Sequence, residues 1–291
     1  MGGIIDFNTT CPWQLYLFSF LHMLGGLFMF IIDVCKLFTG VSCIESEIVM
    51  QRIMALSMVY VGGLYYMLTY HNKDKPAKIT RLSNMALNAA TALLVSVVFI
   101  GNQKYGGFEK SWMHMGDMWT ALILVCVLAS RVSQKNTEWA EQIGPIKEGL
   151  GANCKTLVLL FTVLTLFKFL ALADFIDPSK MMADGFEITA FAAWTWNFII
   201  VLVLESFLAM LFTLLFEDES GQELLVKTII ILTLFAAGAI YSMQQYLSDW
   251  MGLNGNALWI RLGVMVAVCL AAIVAGRHTG HSREGYESVG K

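Results

Sequence analysis

The chain has 291 residues, 57% of them hydrophobic and only 14% charged, with a formal net charge of -3. A soluble domain carries about 25% charge, so an ordinary soluble enzyme or binding module is excluded and a multi-span membrane protein is indicated. The six cysteines form no Cys-x-x-Cys pair and no His/Cys cluster, and they indicate neither a zinc site nor a disulfide framework.

Runs of about 20 apolar residues can cross the hydrocarbon core, and eight such runs predict an all-α, polytopic bundle of eight transmembrane helices. Residues 1–12 read as a cytoplasmic tail, and Thr10 with Pro12 suits the start of a first span over 13–38. That span is too long for a cleavable signal peptide and is expected to stay in the mature protein. It carries His22 at mid-depth. Haem ligation by two histidines would need a second at the same depth, and His71 and His114 fall at the two surfaces. His22 is therefore read as a core histidine or a proton-relay member. Near the end of the span stand Asp33, with Lys36 as a surface pair, and Cys35, which could pair with Cys43 near one membrane surface but is read, like it, as an isolated apolar thiol.

Ser42-Cys-Ile-Glu45 matches a capping box ahead of a second span over 48–70, which carries Arg52 near its start. A third span is expected over 82–102, with Asn84 and Asn88 one turn apart. A fourth is expected over 111–131, with His114 and Asp117 near its start. Residues 132–152 form a cytoplasmic linker, in which Trp139, Ile143, Ile146 and Leu150 recur at helical spacing and predict a surface helix lying on the membrane.

The second half repeats the plan. Spans are expected over 155–176, 191–216, 224–247 and 257–276, with an acidic outer loop over 177–187 and a cytoplasmic tail over 278–291. Ser220-Gly-Gln-Glu223 is a second capping-box pattern, and Arg261 stands near the start of the last span. Asp33 and Asp174, Gln103 and Gln245, and Trp112-x-x-x-Gly-x-Met118 and Trp259-x-x-x-Gly-x-Met265 occupy corresponding places. They suggest two four-helix halves, 13–131 and 153–277, related by an axis along the membrane normal.

Lys and Arg gather on one side of these spans, at Lys73, Lys75, Lys78, Arg81, Arg131, Lys135, Lys147, Lys227, Arg277, Arg283 and Lys291. The positive-inside rule then places both termini in the cytoplasm.

Two charges fall deep in the membrane. Glu205 lies about 16 Å from Trp194 along span six, and Lys168 about 13 Å from the outer end of span five. A charge at a helix centre costs about 2.5 to 3.5 kcal/mol unless it faces protein, water or a partner. Matching depths on consecutive antiparallel helices predict a contact between Lys168 and Glu205, a midplane charged site. Asp33, Arg52, His114, Asp117 and Arg261 share one level and form a candidate outer vestibule.

No Walker A loop, Gly-x-Gly-x-x-Gly fingerprint or His-Glu-x-x-His motif occurs, so ATP-driven transport by this chain alone is not expected, no metal or other cofactor is indicated, and an enzyme or a pigment- or quinone-binding protein stays open as a third reading. The expected partners are the lipid bilayer and other membrane chains, a second copy of this one included, and not nucleic acid. The expected function is a multi-pass transporter or channel for a small solute or ion. The alternative is a non-catalytic membrane subunit or scaffold of a larger complex, since buried ion pairs serve both roles.

Overall fold

A computed structural model describes residues 13–34, 36, 42–83, 85, 154–174, 189–243, 259–260 and 262–274. These residues form helices and no strand: α1 Trp13–Ile31, α2 Glu45–His71, α3 Pro76–Leu82, α4 Cys154–Asp174, α5 Ala190–Phe216, α6 Glu219–Ser242 and α7 Leu262–Val274. Three of them contain stretches long and apolar enough to cross a membrane, Glu47–His71, Phe198–Phe216 and Glu219–Tyr241. The bulk of the expected third span, the fourth span and the surface helix lie outside the described residues.

The central pair is α2 with α5. Each has 27 residues, and their ends are tied at both extremities, so the two run parallel. At the N-terminal end, the Thr189 hydroxyl donates to Glu47 Oε1 at 2.6 Å and accepts from the Ala192 N–H at 3.1 Å. Glu47 Oε2 accepts from the Ile44 N–H at 3.1 Å. One carboxylate and one hydroxyl therefore cap both helices, satisfying N–H groups that lack intrahelical acceptors. At the other end, Asn72 Nδ2 donates to Glu217 Oε1 at 2.6 Å.

Around this pair, α1 and α6 pack on α2, and α4 packs on α5 and α6. Lipid tails are as apolar as the side chains, so close packing replaces the hydrophobic effect as the force between helices. Glycine supplies it here. A Cβ on Gly62 would lie 2.7 Å from the backbone oxygen of Ser19, and one on Gly26 would lie 2.6 Å from that of Ala55. On the adjacent face, a Cβ on Gly63 would meet Leu232 Cδ2 of α6 at 2.8 Å. Hydroxyls inside the bundle donate to carbonyls one turn back, as Ser19 does to Leu15, Thr69 to Tyr65 and Thr213 to Ala209.

Several expected boundaries are corrected. The first helix ends at Ile31, not at 38, because Gln51 of α2 donates to the carbonyls of Met29 and Ile32 and accepts from the Val34 N–H. These contacts take over carbonyls that another helical turn would have used. The second helix starts with Ile44 at its N-cap and Glu47 as the acceptor, rather than through Ser42 and Glu45. The sixth starts at Glu219, because Asp218 rather than Ser220 is the N-cap and accepts from the Gly221 N–H at 3.0 Å. Cys43 is disulfide-bonded, which overturns its reading as an isolated thiol.

Candidate functional site

His22 and Glu205 meet inside the bundle. His22 lies near the middle of α1 and Glu205 near the middle of α5. Their Nε2 and Oε2 atoms are 3.3 Å apart, with side chains 1% and 2% exposed. The close α1–α2 packing at Gly26 and Gly62 lets the imidazole reach past α2 to α5. The Phe18 ring lies against the imidazole at 4.1 Å between centroids, and Tyr65 packs edge-on to Phe18 at 5.2 Å. The Tyr65 hydroxyl donates to the backbone carbonyl of Glu205 at 3.3 Å. Helices α1, α2 and α5 thus each place a residue at this level.

His22 Nδ1 lies 3.0 Å from the Phe18 carbonyl, which can only accept, so Nδ1 carries hydrogen and Nε2 faces Glu205 Oε2. The two atoms approach closely without the alignment of an ideal hydrogen bond, so a small change in helix position would strengthen or sever the contact.

Lys168 does not reach Glu205. Among the described residues its ammonium has no carboxylate within 4.0 Å, and the expected ion pair is not formed. The depths do match. Thr165 Oγ1 of α4 lies 3.3 Å from Met210 Sδ of α5, which puts Lys168, one turn further along α4, level with Ser206. The helical azimuth decides the outcome, because neighbouring residues point about 100° apart: Glu205 turns toward α1, whereas Ser206 turns toward α4. Lys168 instead lines a crevice of about 250 Å³ with Ser57, Tyr60, Thr165 and Ser206. Glu205 and His22 are not among its lining residues.

The candidate vestibule is only partly described. Asp33 accepts from the Lys36 N–H at 2.9 Å and from the Cys43 N–H at 3.3 Å, which organises the α1–α2 connection. The Arg52 guanidinium lies 5.7 Å from the centroid of the Phe30 ring. His114, Asp117 and Arg261 lie outside the described residues.

A second charged cluster, not foreseen in the sequence, closes the C-terminal ends of α2 and α5. The Glu217 side chain is fully buried. Lys78 Nζ binds its Oε2 at 2.9 Å, Asn72 holds its Oε1, and His71 Nε2 stands 3.5 Å from Oε2. A Cβ on Gly221 would lie 2.8 Å from Oε2, so glycine leaves the room the carboxylate occupies. Ligand atoms of His71, Glu217 and Asp218 lie within 4.8 Å of one another, a spacing that suits a metal ion. The Lys78 ammonium already neutralises Glu217, however, and opposes a cation there. Burial works against ionisation of Asp218, but the Gly221 N–H, the Ser220 hydroxyl and the charges of Lys75 and Lys78 outweigh it and hold the carboxyl below the usual carboxylate range. Glu217 stands in an acidic run with Asp218 and Glu219, and only the fold shows that its side chain points inward.

No family model, no curated protein and no solved structure matches this chain.

Proposed function

We propose that this protein moves a small solute or ion across a membrane and that the His22–Glu205 pair is its protonatable element. The observation that carries the reading is the 3.3 Å contact of two titratable side chains, both essentially buried, at mid-helix in a chain with helices long and apolar enough to span a membrane. Ionisable residues at such depth are costly and mark ion or proton pathways. Support comes from the two end ties. Glu47–Thr189 at one end and Glu217–Lys78–Asn72 at the other join the parallel helices α2 and α5, where opening one end and closing the other would alternate access. The disulfide at Cys43 suits an oxidising compartment, and the Lys-rich α2–α3 connection suits the cytoplasm. Together they favour the orientation expected from the charge distribution, with both termini cytoplasmic.

One observation favours the alternative, a non-catalytic membrane subunit. The crevice stops short of Glu205, so the pair is enclosed as a purely structural one would be. Proton flux separates the readings. Protein reconstituted in liposomes with a trapped pH dye, under a potassium diffusion potential and a panel of small organic anions and cations, should move protons. Glu205→Gln should abolish that flux while the protein stays folded. Absence of flux from the wild type under every condition, or equal flux from Glu205→Gln, would reject transport through this pair.

A further inference from the structure

The crevice beside α4 is chemically distinct from the His22–Glu205 pair. The hydroxyls of Ser57, Thr165 and Ser206 donate to the carbonyls of Ile53, Phe161 and Leu202, at 2.9, 2.7 and 2.9 Å. Their hydrogens are thereby taken. The Tyr60 hydroxyl and the Lys168 ammonium also line the crevice, and neither has a hydrogen-bond or ion-pair partner among the described residues. Lys168 is exposed on the face of α4 and not enclosed, and a bound anion would supply the counter-charge it lacks among the described residues.

We infer that this crevice binds a carboxylate carried on an apolar body, with Lys168 Nζ and the Tyr60 hydroxyl meeting its oxygens. Charge selects the class: among the described residues the lining contains one cation and no other charged residue, which balances a monoanion and not a phosphate dianion. Size agrees. About 250 Å³ is the liquid volume of roughly eight waters, enough for a carboxylate and a short apolar chain between Leu202 and Met210. A longer tail would leave along the exposed face of α4 beside Leu164 and Phe167. Identifying this ligand as the transported solute rests on the function proposed above, whereas binding itself does not.

The test is calorimetric titration of the purified full-length chain in nanodiscs of zwitterionic lipid, with sodium butyrate and, separately, with oleate. The wild type should bind at least one of them. Lys168→Met should weaken that binding tenfold or more, Lys168→Arg should restore most of it, and Tyr60→Phe should weaken it severalfold. Tyr60→Phe removes a single oxygen and still reads the site if Lys168→Met does not fold. Binding of butyrate alone would assign a free solute, binding of oleate alone a membrane-borne fatty acid, and binding of both recognition of the head group. The inference is overturned if the wild type binds neither, or if Lys168→Met and Tyr60→Phe both bind as tightly as the wild type. Carboxylate binding without proton flux would keep the site and reject transport, and flux without binding would do the reverse.

Discussion

Glu205 and Glu217 are two carboxylates on one helix and its C-cap, about 18 Å apart along α5, and their surroundings give them different tasks. Glu205 stands 3.3 Å from His22 in an apolar, aromatic-walled position. Glu217 is neutralised by a lysine and held by an asparagine at a helix end, where it locks two connections together. Removing Lys78 leaves Glu217 buried with only polar contacts, so Lys78→Met should lower stability by about 3 kcal/mol or more, read as a fall in the thermal midpoint in detergent. The double variant Lys78→Met/Glu217→Leu should recover much of that loss. Asp218 carries a signed pH effect. Its carboxyl titrates lower in the folded protein than in the unfolded chain, so its contribution is in full force above the ordinary carboxylate value of about 4 and is lost as pH falls through the lowered folded value. Asp218→Ala should therefore cost about 1 kcal/mol at neutral pH, and thermal scans should show that difference shrinking on acidification below about pH 4.

Helices α1 and α2 approach closely enough to bring His22 to α5 because Gly26 and Gly62 present no side chain at their crossing. Gly62→Leu should push α1 outward, destabilise the protein by about 1 to 3 kcal/mol and uncouple His22 from Glu205, so that adding His22→Ala to Gly62→Leu produces little further loss. Most of the described helices were legible in the sequence, because a 20-residue apolar run has few other fates in this chain: α2, α4 and α5 fall within three residues of their expected limits. Their ends were less legible. Gln51 ends α1 from another helix, and Thr189 caps α5 while bound to Glu47; tertiary contacts of this kind leave no local pattern. The common level of Lys168 and Glu205 along neighbouring helices was legible, since the helical rise is fixed. Partner choice was not, because it depends on how each helix is rotated about its axis, and hydrophobicity all round α5 gives no clue to that rotation. His22 was recognised as a relay candidate, but its partner became visible only once α1 was seen to pack across α2.

The whole molecule has two chemically different ends. One carries the Cys43 disulfide and the shared cap of α2 and α5, and the other carries Lys73, Lys75, Lys78 and the Glu217 lock. In the proposed orientation, an impermeant thiol reagent should modify a cysteine placed at Ile44 from outside intact cells and should spare one placed at Lys73 until the membrane is opened. The same contrast bears on duplication. The parallel packing of α2 on α5, the second helix of each expected half, suits two halves related by an axis along the membrane normal, although most of the residues that suggested the repeat lie outside the described part.

The meeting of α1 and α5 through His22 and Glu205 is the centre of this account, and a double-mutant cycle on the two residues tests it most directly. Thermal and denaturant unfolding would be measured for His22→Leu, Glu205→Leu and the double variant, with Lys168→Leu and Glu205→Leu as the comparison cycle. His22 and Glu205 should couple by about 1 to 3 kcal/mol, with the double variant more stable than the sum of the single losses predicts, while Lys168 and Glu205 should be additive within about 0.5 kcal/mol. Additivity for His22 with Glu205, together with coupling of Lys168 to Glu205, would contradict it.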